Sequence, residues 1–579
     1  MGEFDMATKT KKKKKIQIKF EDITRDPNLF LPLILLLVNK ILNVIGFVDF
    51  IDRSVEWDSS HWKVSPGNLA KAVILVTFLK VRVPLYRIEK AFKGMDTEAL
   101  FGIGVLPEHL NDDAIARALD RISQAKQEGL FTTLCLSLYS KYKIAFSRLH
   151  SDTTTISFYG AYEQSDNEGE EGLRLLKGYN KDGRPECKQV VLGKIVNEHG
   201  LAVASSSMDG NTSDTEWNEK AIQLVKETFG DRLDKVTYIA DSKLINLPLF
   251  KQLMEVGKKV RFISRCPSSF YNKIEGKIIK QAYQDNNWID IGSIGSGKNS
   301  CTYKIQEYSK SIEGHNVRLI AVKSSAGQER YDNKLQKQKV QLEKDISALS
   351  KKTFACKEDA QKEWVRFEKA HKKSMHTFEV QFNEIKTEKK ARGNPGKNPK
   401  PPQVKVMWEV YAKIGGVNEE RTEKFRQEEE CFVLIASVEQ SELSSEQVLR
   451  QYKEQSIVEV QFRLLKEPAI ASTIFLKTPE RIDALMMLLN VSLLIRALIQ
   501  YKVRKGISES KDEAPKIGWS NSKMEKPTIN FIIEAFENTR FERVAENSYK
   551  YGFYGDKERF RAMTIFNLLG ITIDELLDS

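Results

Sequence analysis

The chain has 579 residues and a formal net charge of +12, with 41% hydrophobic and 29% charged residues. That balance excludes a disordered or collagenous chain and leaves length for several domains. Six cysteines (Cys135, Cys187, Cys266, Cys301, Cys356, Cys431) lie far apart with no Cys-x-x-Cys pair, which argues against a zinc module or a disulfide scaffold and fits a reducing compartment. The basic excess favours a polyanionic partner.

Met1 to Asp5 read as an expression scar ahead of Met6, and Lys9 with Lys11 to Lys15 makes residues 1–20 a basic tail. No secretory signal is expected. The apolar run Phe30 to Val38 has nine residues, where ~20 would be needed to span a bilayer. Ile482 to Leu498 is broken by Asp483, Asn490, Ser492 and Arg496 and reads as a buried helix. No membrane partner is expected.

Residues 21–140 read as a helical N-terminal region, a candidate DNA-binding region. Ser65-Pro66-Gly67-Asn68 is a helix entry before Leu69 to Val81, Pro84 ends that helix, and Leu85 to Phe92 forms a second one at helix-turn-helix spacing. Asn111 caps Asp112 to Gln124.

From residue 141 the pattern changes to strands. Ile144 to His150 leads into Ser151-Asp152-Thr153-Thr154; Gln189 to Val196 and Leu201 to Ser206 are joined by a hairpin signal at Asn197 to Gly200. Helices Thr215 to Thr228 and Pro248 to Val256 alternate with strands Lys235 to Ala240 and Lys259 to Ser264. Three antiparallel strands followed by alternating helix and strand is the order of an α/β, ribonuclease H-like sheet, whose first part spans 141–275.

Residues 276–430 interrupt it as a large insertion domain of short strands and a helical hairpin. Leu335, Leu342, Ile346 and Leu349 stripe the first helix; Trp364, Phe367, His371, Met375, Phe378, Phe382 and Ile385 stripe the second. His371 reads as a core or boundary histidine. Four prolines from Pro395 to Pro402, among seven basic residues from Lys386 to Lys405, mark a cationic loop suited to a phosphate backbone. The sheet resumes over 431–505 with the strand Cys431 to Ser437 and a helix Ser444 to Lys466, and 506–579 reads as a helical C-terminal region.

Asp152 and Asp241 each stand at the end of an expected central strand. Either alone is a common turn former; on adjacent strands they make a carboxylate pair. In the helix Ser444 to Lys466, Tyr452, Gln455, Glu459, Arg463 and Lys466 fall on one arc at ~100° per residue. Apolar flanks of Ile457, Val460 and Leu464 and of Val458, Phe462 and Leu465 lie beside it. Gly292-Ser293-Ile294-Gly295-Ser296-Gly297-Lys298-Asn299 nearly spells a phosphate loop, but Asn299 stands where Ser or Thr is required and a strand follows. It reads as a hairpin turn, and no ATP is expected.

Tyr452, Glu459 and Lys466, with Gln455 in place of the usual Arg, resemble the Tyr-x2-Arg-x3-Glu-x6-Lys signature of DDE transposases of the bacterial insertion-sequence type, the hairpin-forming, cut-and-paste branch. Leu110-Asn111-Asp112-Asp113, Asp152-Thr153-Thr154, Gly178-Tyr179-Asn180-Lys181-Asp182-Gly183-Arg184-Pro185, Gly210-Asn211-Thr212-Ser213-Asp214 and Ala240-Asp241-Ser242 extend the resemblance over about residues 30 to 540.

The resemblance implies that Asp152, Asp241 and Glu459 are catalytic and hold two Mg²⁺ or Mn²⁺ ions through hard oxygen ligands. It also implies that Tyr452, Gln455, Arg463 and Lys466 meet DNA phosphates. The partners would be transposon inverted-repeat ends and target DNA, bound by a homodimer in the synaptic complex, in the bacterial cytoplasm at the nucleoid. A flipped base would stack on an aromatic residue of the insertion, with Trp288 and Trp408 the candidates. The alternatives are a hydrolytic nuclease on the same fold and a domesticated DNA-binding protein.

Overall fold

The computed structural model describes residues 17–20, 29–81, 83–125, 127–159, 162, 172–295, 297, 300–389, 403–467, 476, 478–510, 514–518, 522–545, 548–553 and 555–577. The basic tail before Gln17 and the prolines from Pro395 to Pro402 lie outside them. The chain divides into two compact units. The first comprises Met1–Leu244, Lys251–Phe262 and Gln451–Ser579; the second comprises Ile245–Phe250 and Ile263–Arg450.

The first unit opens with short strands β1 (Gln17–Phe20) and β2 (Phe30–Pro32), then turns helical. Ser65 caps the helix Pro66–Val76, its hydroxyl accepting from the Asn68 amide at 3.2 Å, with Pro66 pre-set for the first turn. Asn111 caps Asp112–Ser123 in the same way, accepting from Ala114 at 3.0 Å, and Ile115, Ala118, Leu119 and Ile122 are buried. Both helices, and Gln127–Lys141, pack on the long helix Pro479–Glu509. That helix is long and apolar enough to cross a membrane, yet nearly all of its apolar stretch is buried inside the protein.

The expected helix Leu85 to Phe92 is instead a 3₁₀ turn, Leu85–Arg87, followed by one helical turn, Ile88–Ala91. The preceding helix already ends at Val76, so no two-helix reading motif forms here.

The mixed sheet of this unit is built from β3 (Arg148–Phe158), β4 (Lys188–Asn197), β5 (Ala202–Met208), β6 (Thr237–Ala240) and β7 (Arg261–Arg265), in the order β5-β4-β3-β6-β7. β3, β4 and β5 are antiparallel neighbours, while β6 runs parallel to β3. The turn between β4 and β5 is the expected hairpin, with Gly200 at φ +81° and the Asn197 side chain accepting from His199 and Leu201. β3 does not stop before Asp152, as expected; it continues to Phe158 because Thr153, Thr154 and Thr155 all pair with β4.

The second unit receives the chain within β7. There β14 (Cys431–Ala436) follows β8 (Ile289–Ile294), β9 (Cys301–Ile312), β10 (His315–Ser324), β11 (Thr353–Phe354), β12 (His376–Lys389) and β13 (Gln403–Val417). β7, β14, β10, β9 and β8 lie side by side. β8 and β9 form the hairpin expected in place of a phosphate loop.

Both helices of the expected helical hairpin are present, but the second is cut short. Ser325–Ser350 and Lys357–Ala370 are helices, but His376–Lys389 is a strand paired along its length with β13. Phe378, Val380 and Phe382 alternate with Glu379, Gln381 and Asn383, a period of two that fits a half-covered strand. They pack with Ile346, Leu349, Trp364, Val410 and Ala412 into a small core of their own.

Back in the first unit, β15 (Thr539–Ala545) and β16 (Ser548–Phe553) correct the expectation of an all-helical C-terminal region. They complete a sheet ordered β1-β16-β15-β2, around buried Phe541 and Tyr549.

Candidate active site

The site grows from the parallel register of β3 and β6. Arg148 pairs with Thr237, Leu149 with Tyr238 and His150 with Ile239. Two residues further on stand Asp152, still within β3, and Asp241, just past the end of β6. Asp152 is mid-strand, opposite Lys194 of β4; Asp241 follows the last residue of β6, its carboxylate accepting from the Lys243 amide at 3.0 Å.

A third carboxylate, Asp214, enters from the first turn of the helix Asp214–Phe229, where a capping box of Ser213 and Glu216 fixes the helix start. Lys181 gathers the group. Its ammonium is 3.1 Å from Asp214 and 3.6 Å from Asp152, and it donates to the Thr153 carbonyl at 3.0 Å and hydroxyl at 2.6 Å. Thr153 in turn hydrogen-bonds Asp214.

Burial pushes the Asp152 carboxyl up to about 6; Lys181 opposes that shift, and the charges of Asp241 and Asp214 add to it. Asp241 is raised for the same leading reason, with Asp214 adding to it. Crowded, partly desolvated carboxylates of this kind favour protons or cations.

Two glycines position Lys181. A Cβ on Gly178 would lie 2.3 Å from the Gly210 carbonyl, and one on Gly210 would lie 2.1 Å from the Gln189 carbonyl, so only glycine lets these segments touch. Buried Gln189 ties them together. Its amide donates to Gly210 at 2.7 Å and Tyr179 at 3.2 Å, and its oxygen accepts from Asn180 at 2.8 Å. Asp214 and Lys181 are polar residues beside a cap and in a loop, so periodicity does not mark them. The two motifs of the family resemblance that contain them, each opened by a glycine, are the sequence signal.

The Glu459 helix is shorter than expected. Helices Ser445–Lys453 and Ser456–Leu465 are separated by Glu454 and Gln455, which turn with 3₁₀ hydrogen bonds from Glu454 to Gln451 and from Gln455 to Tyr452. The single arc therefore breaks. Tyr452 is half-buried in the first helix and Gln455 half-buried in the turn, while Glu459 and Arg463 share the exposed side of the second helix. This second helix packs on β3 and β4. Val458, Phe462 and Leu465 are buried, whereas Ile457, Val460 and Leu464 border a cavity of about 920 Å³ shared with His199, Tyr501 and Arg504. Lys466 ends the helix with its ammonium 2.7 Å from Asp182.

Among the described residues, no three His, Cys, Asp or Glu side chains are grouped so as to hold a metal ion as they stand. Asp152 and Asp241 do supply adjacent hard oxygen donors, the chemistry a divalent cation selects. In the second unit, Trp288 is half-buried with its ring 5.7 Å from Tyr283, and Trp408 of β13 packs on the insertion core under the Lys357 ammonium.

A family model described as "Domain of unknown function (DUF4277)" matches residues 33–136, the helical N-terminal part. No curated protein matches the sequence. A solved chain titled "Cryo-EM structure of piggyBac transposase synaptic complex with hairpin DNA (SNHP)" superposes with a TM-score of 0.38 at 9% identity, over 94% of this chain and 85% of that one.

Proposed function

We propose that the chain is a DNA transposase of the DDE type, which binds transposon ends and catalyses their cleavage and strand transfer on a ribonuclease H-like core. One observation carries this reading: Asp152 in β3 and Asp241 just past the end of β6 follow the paired parallel register of these adjacent strands, and the helix bearing Glu459 packs on β3. The order β5-β4-β3-β6-β7 is the strand order such a core requires, and the basic excess suits a nucleic-acid partner.

Asp152 and Asp241 would hold Mg²⁺ or Mn²⁺, with Glu459 as third carboxylate; when bound, the ions supply Lewis acidity and an activated nucleophile. The chain itself supplies the rest. Lys181 offsets the negative charge of Asp152 and Asp214, and Arg463 presents a guanidinium one turn from Glu459 able to grip two phosphate oxygens.

The test is cleavage and strand joining on a supercoiled target, using a duplex that carries the inverted repeats flanking the gene. Asp152→Asn, Asp241→Asn and Glu459→Gln should each abolish Mg²⁺-dependent cleavage and keep DNA binding. Wild-type cleavage by any one of them removes that residue from the ligand set. Cleavage without joining indicates a hydrolytic nuclease, and binding without cleavage a DNA-binding protein alone.

A further inference from the structure

Arg148, His150 and Asp152 alternate along β3 and therefore share one of its sides. The first two meet Glu454. Its carboxylate is 3.2 Å from Arg148 Nε and 4.0 Å from His150 Nε2. His150 is fully buried, and neither of its ring nitrogens has a hydrogen-bond partner. Arg148 and Ser147 are held from the other direction, their amides donating to the Glu198 carboxylate at 3.2 and 3.0 Å. Glu454 thus meets, through charge alone, a stretch of β3 that is itself pinned to the β4–β5 turn.

Glu454 is also the first residue of the two-residue break that precedes the Glu459 helix, and its carbonyl accepts from the Ile457 amide at 2.9 Å. It is five residues from Glu459 and pairs with the strand at Arg148, four residues from Asp152. No proline or glycine accounts for the break.

We propose that Glu454 is a positioning residue, whose ion pair with Arg148 sets where the Glu459 helix meets β3 and hence how Glu459 stands towards Asp152. The inference rests on the transposase reading for its catalytic consequence. Half-exposed pairs contribute little to global stability. Misplacement of a reacting group by ~1 Å, in contrast, costs about 10²-fold in rate. A residue of this kind leaves melting unchanged and alters turnover.

The experiment uses the full chain with Glu454→Gln, Arg148→Gln and the charge-swapped Glu454→Arg/Arg148→Glu. Hydrogen exchange of the amides of Ser456–Leu465 is followed against those of Asp214–Phe229, and end cleavage is measured on the inverted-repeat duplex. The expected result is that each single change accelerates exchange in Ser456–Leu465 alone, by up to about fivefold for loss of a partly exposed ion pair. Cleavage turnover should fall by about 10²-fold with KM for the duplex unchanged, and the swap should recover both. Unchanged exchange in Glu454→Gln, or a swap no better than the single variants, overturns the proposal. If Asp152→Asn and Glu459→Gln both cleave normally, the transposase reading fails, and exchange alone still decides the role of Glu454.

Discussion

Lys466 and Asp182 form an ion pair at 2.7 Å, which joins the end of the Glu459 helix to the loop whose preceding residue, Lys181, reaches Asp152 and Asp214. A lysine expected to bind phosphate is therefore already engaged by a carboxylate. Asp182→Asn should release it. DNA affinity should rise by up to about fivefold, the worth of one partly exposed pair, and the log–log salt slope should steepen by up to ~0.9. A salt titration of binding with no change in either quantity would leave Lys466 a purely structural partner.

Arg463 stands one turn after Glu459 on the exposed side, whereas Gln455 lies in the turn ahead of the helix. Arg463→Gln should weaken end binding and flatten the salt slope by ~0.9. Gln455→Arg should not restore the loss, because its side chain departs from a different helical register. Recovery by Gln455→Arg would mean that the two positions reach the same phosphate.

Gly193 lies under the Trp217 indole, where a Cβ would come within 2.2 Å of the ring. Trp217 also donates to Ser151 at 2.9 Å. Gly193→Ala should destabilise the first unit by about 1–3 kcal/mol, the usual cost of overpacking. A melting temperature equal to that of wild type would show that the indole can move aside.

Lys71 is buried among the N-terminal helices, donating to Asn39 at 3.1 Å and to the Leu100 carbonyl. Burial pulls its ammonium down from 10.5 to about 8. The unfolded chain then binds more protons than the folded one between pH 8 and 10.5. The cost, of order 3 kcal/mol, is fully present below pH 8 and is relieved as pH rises through that window. Relative to Lys71→Met, the wild type should gain stability from pH 8 to 10. Parallel pH profiles of the two melting temperatures would refute this.

The sheet around Asp152 and Asp241 was readable because β4 and β6 carry short apolar runs and the turn residues Asn197 to Gly200 mark the β4–β5 hairpin. Two features were not. Phe378, Phe382 and Ile385 satisfy a helical spacing, while Phe378, Val380 and Phe382 satisfy a strand spacing equally well. Only the partner β13, contributed from beyond the proline-rich stretch, decides between them. The break at Glu454 and Gln455 has no local breaker; the ion pair with Arg148, some three hundred residues away in sequence, accompanies it. Long-range partners of this kind override local pattern.

The β15–β2 pairing sets a schedule for biosynthesis. Pro32 pairs with Arg540 and Phe30 with Glu542, so the strand that leads into the apolar helix Leu33–Val44 has, beyond its single bridge from Phe30 to Met95, no strand edge to join until β15 has emerged. At ~5–20 residues per second, the roughly five hundred intervening residues take about 25–100 s. Throughout that interval Leu31, fully buried in the finished protein, needs another cover. The segment around Leu31 is thus one where a ribosome-bound chaperone has a long time to act.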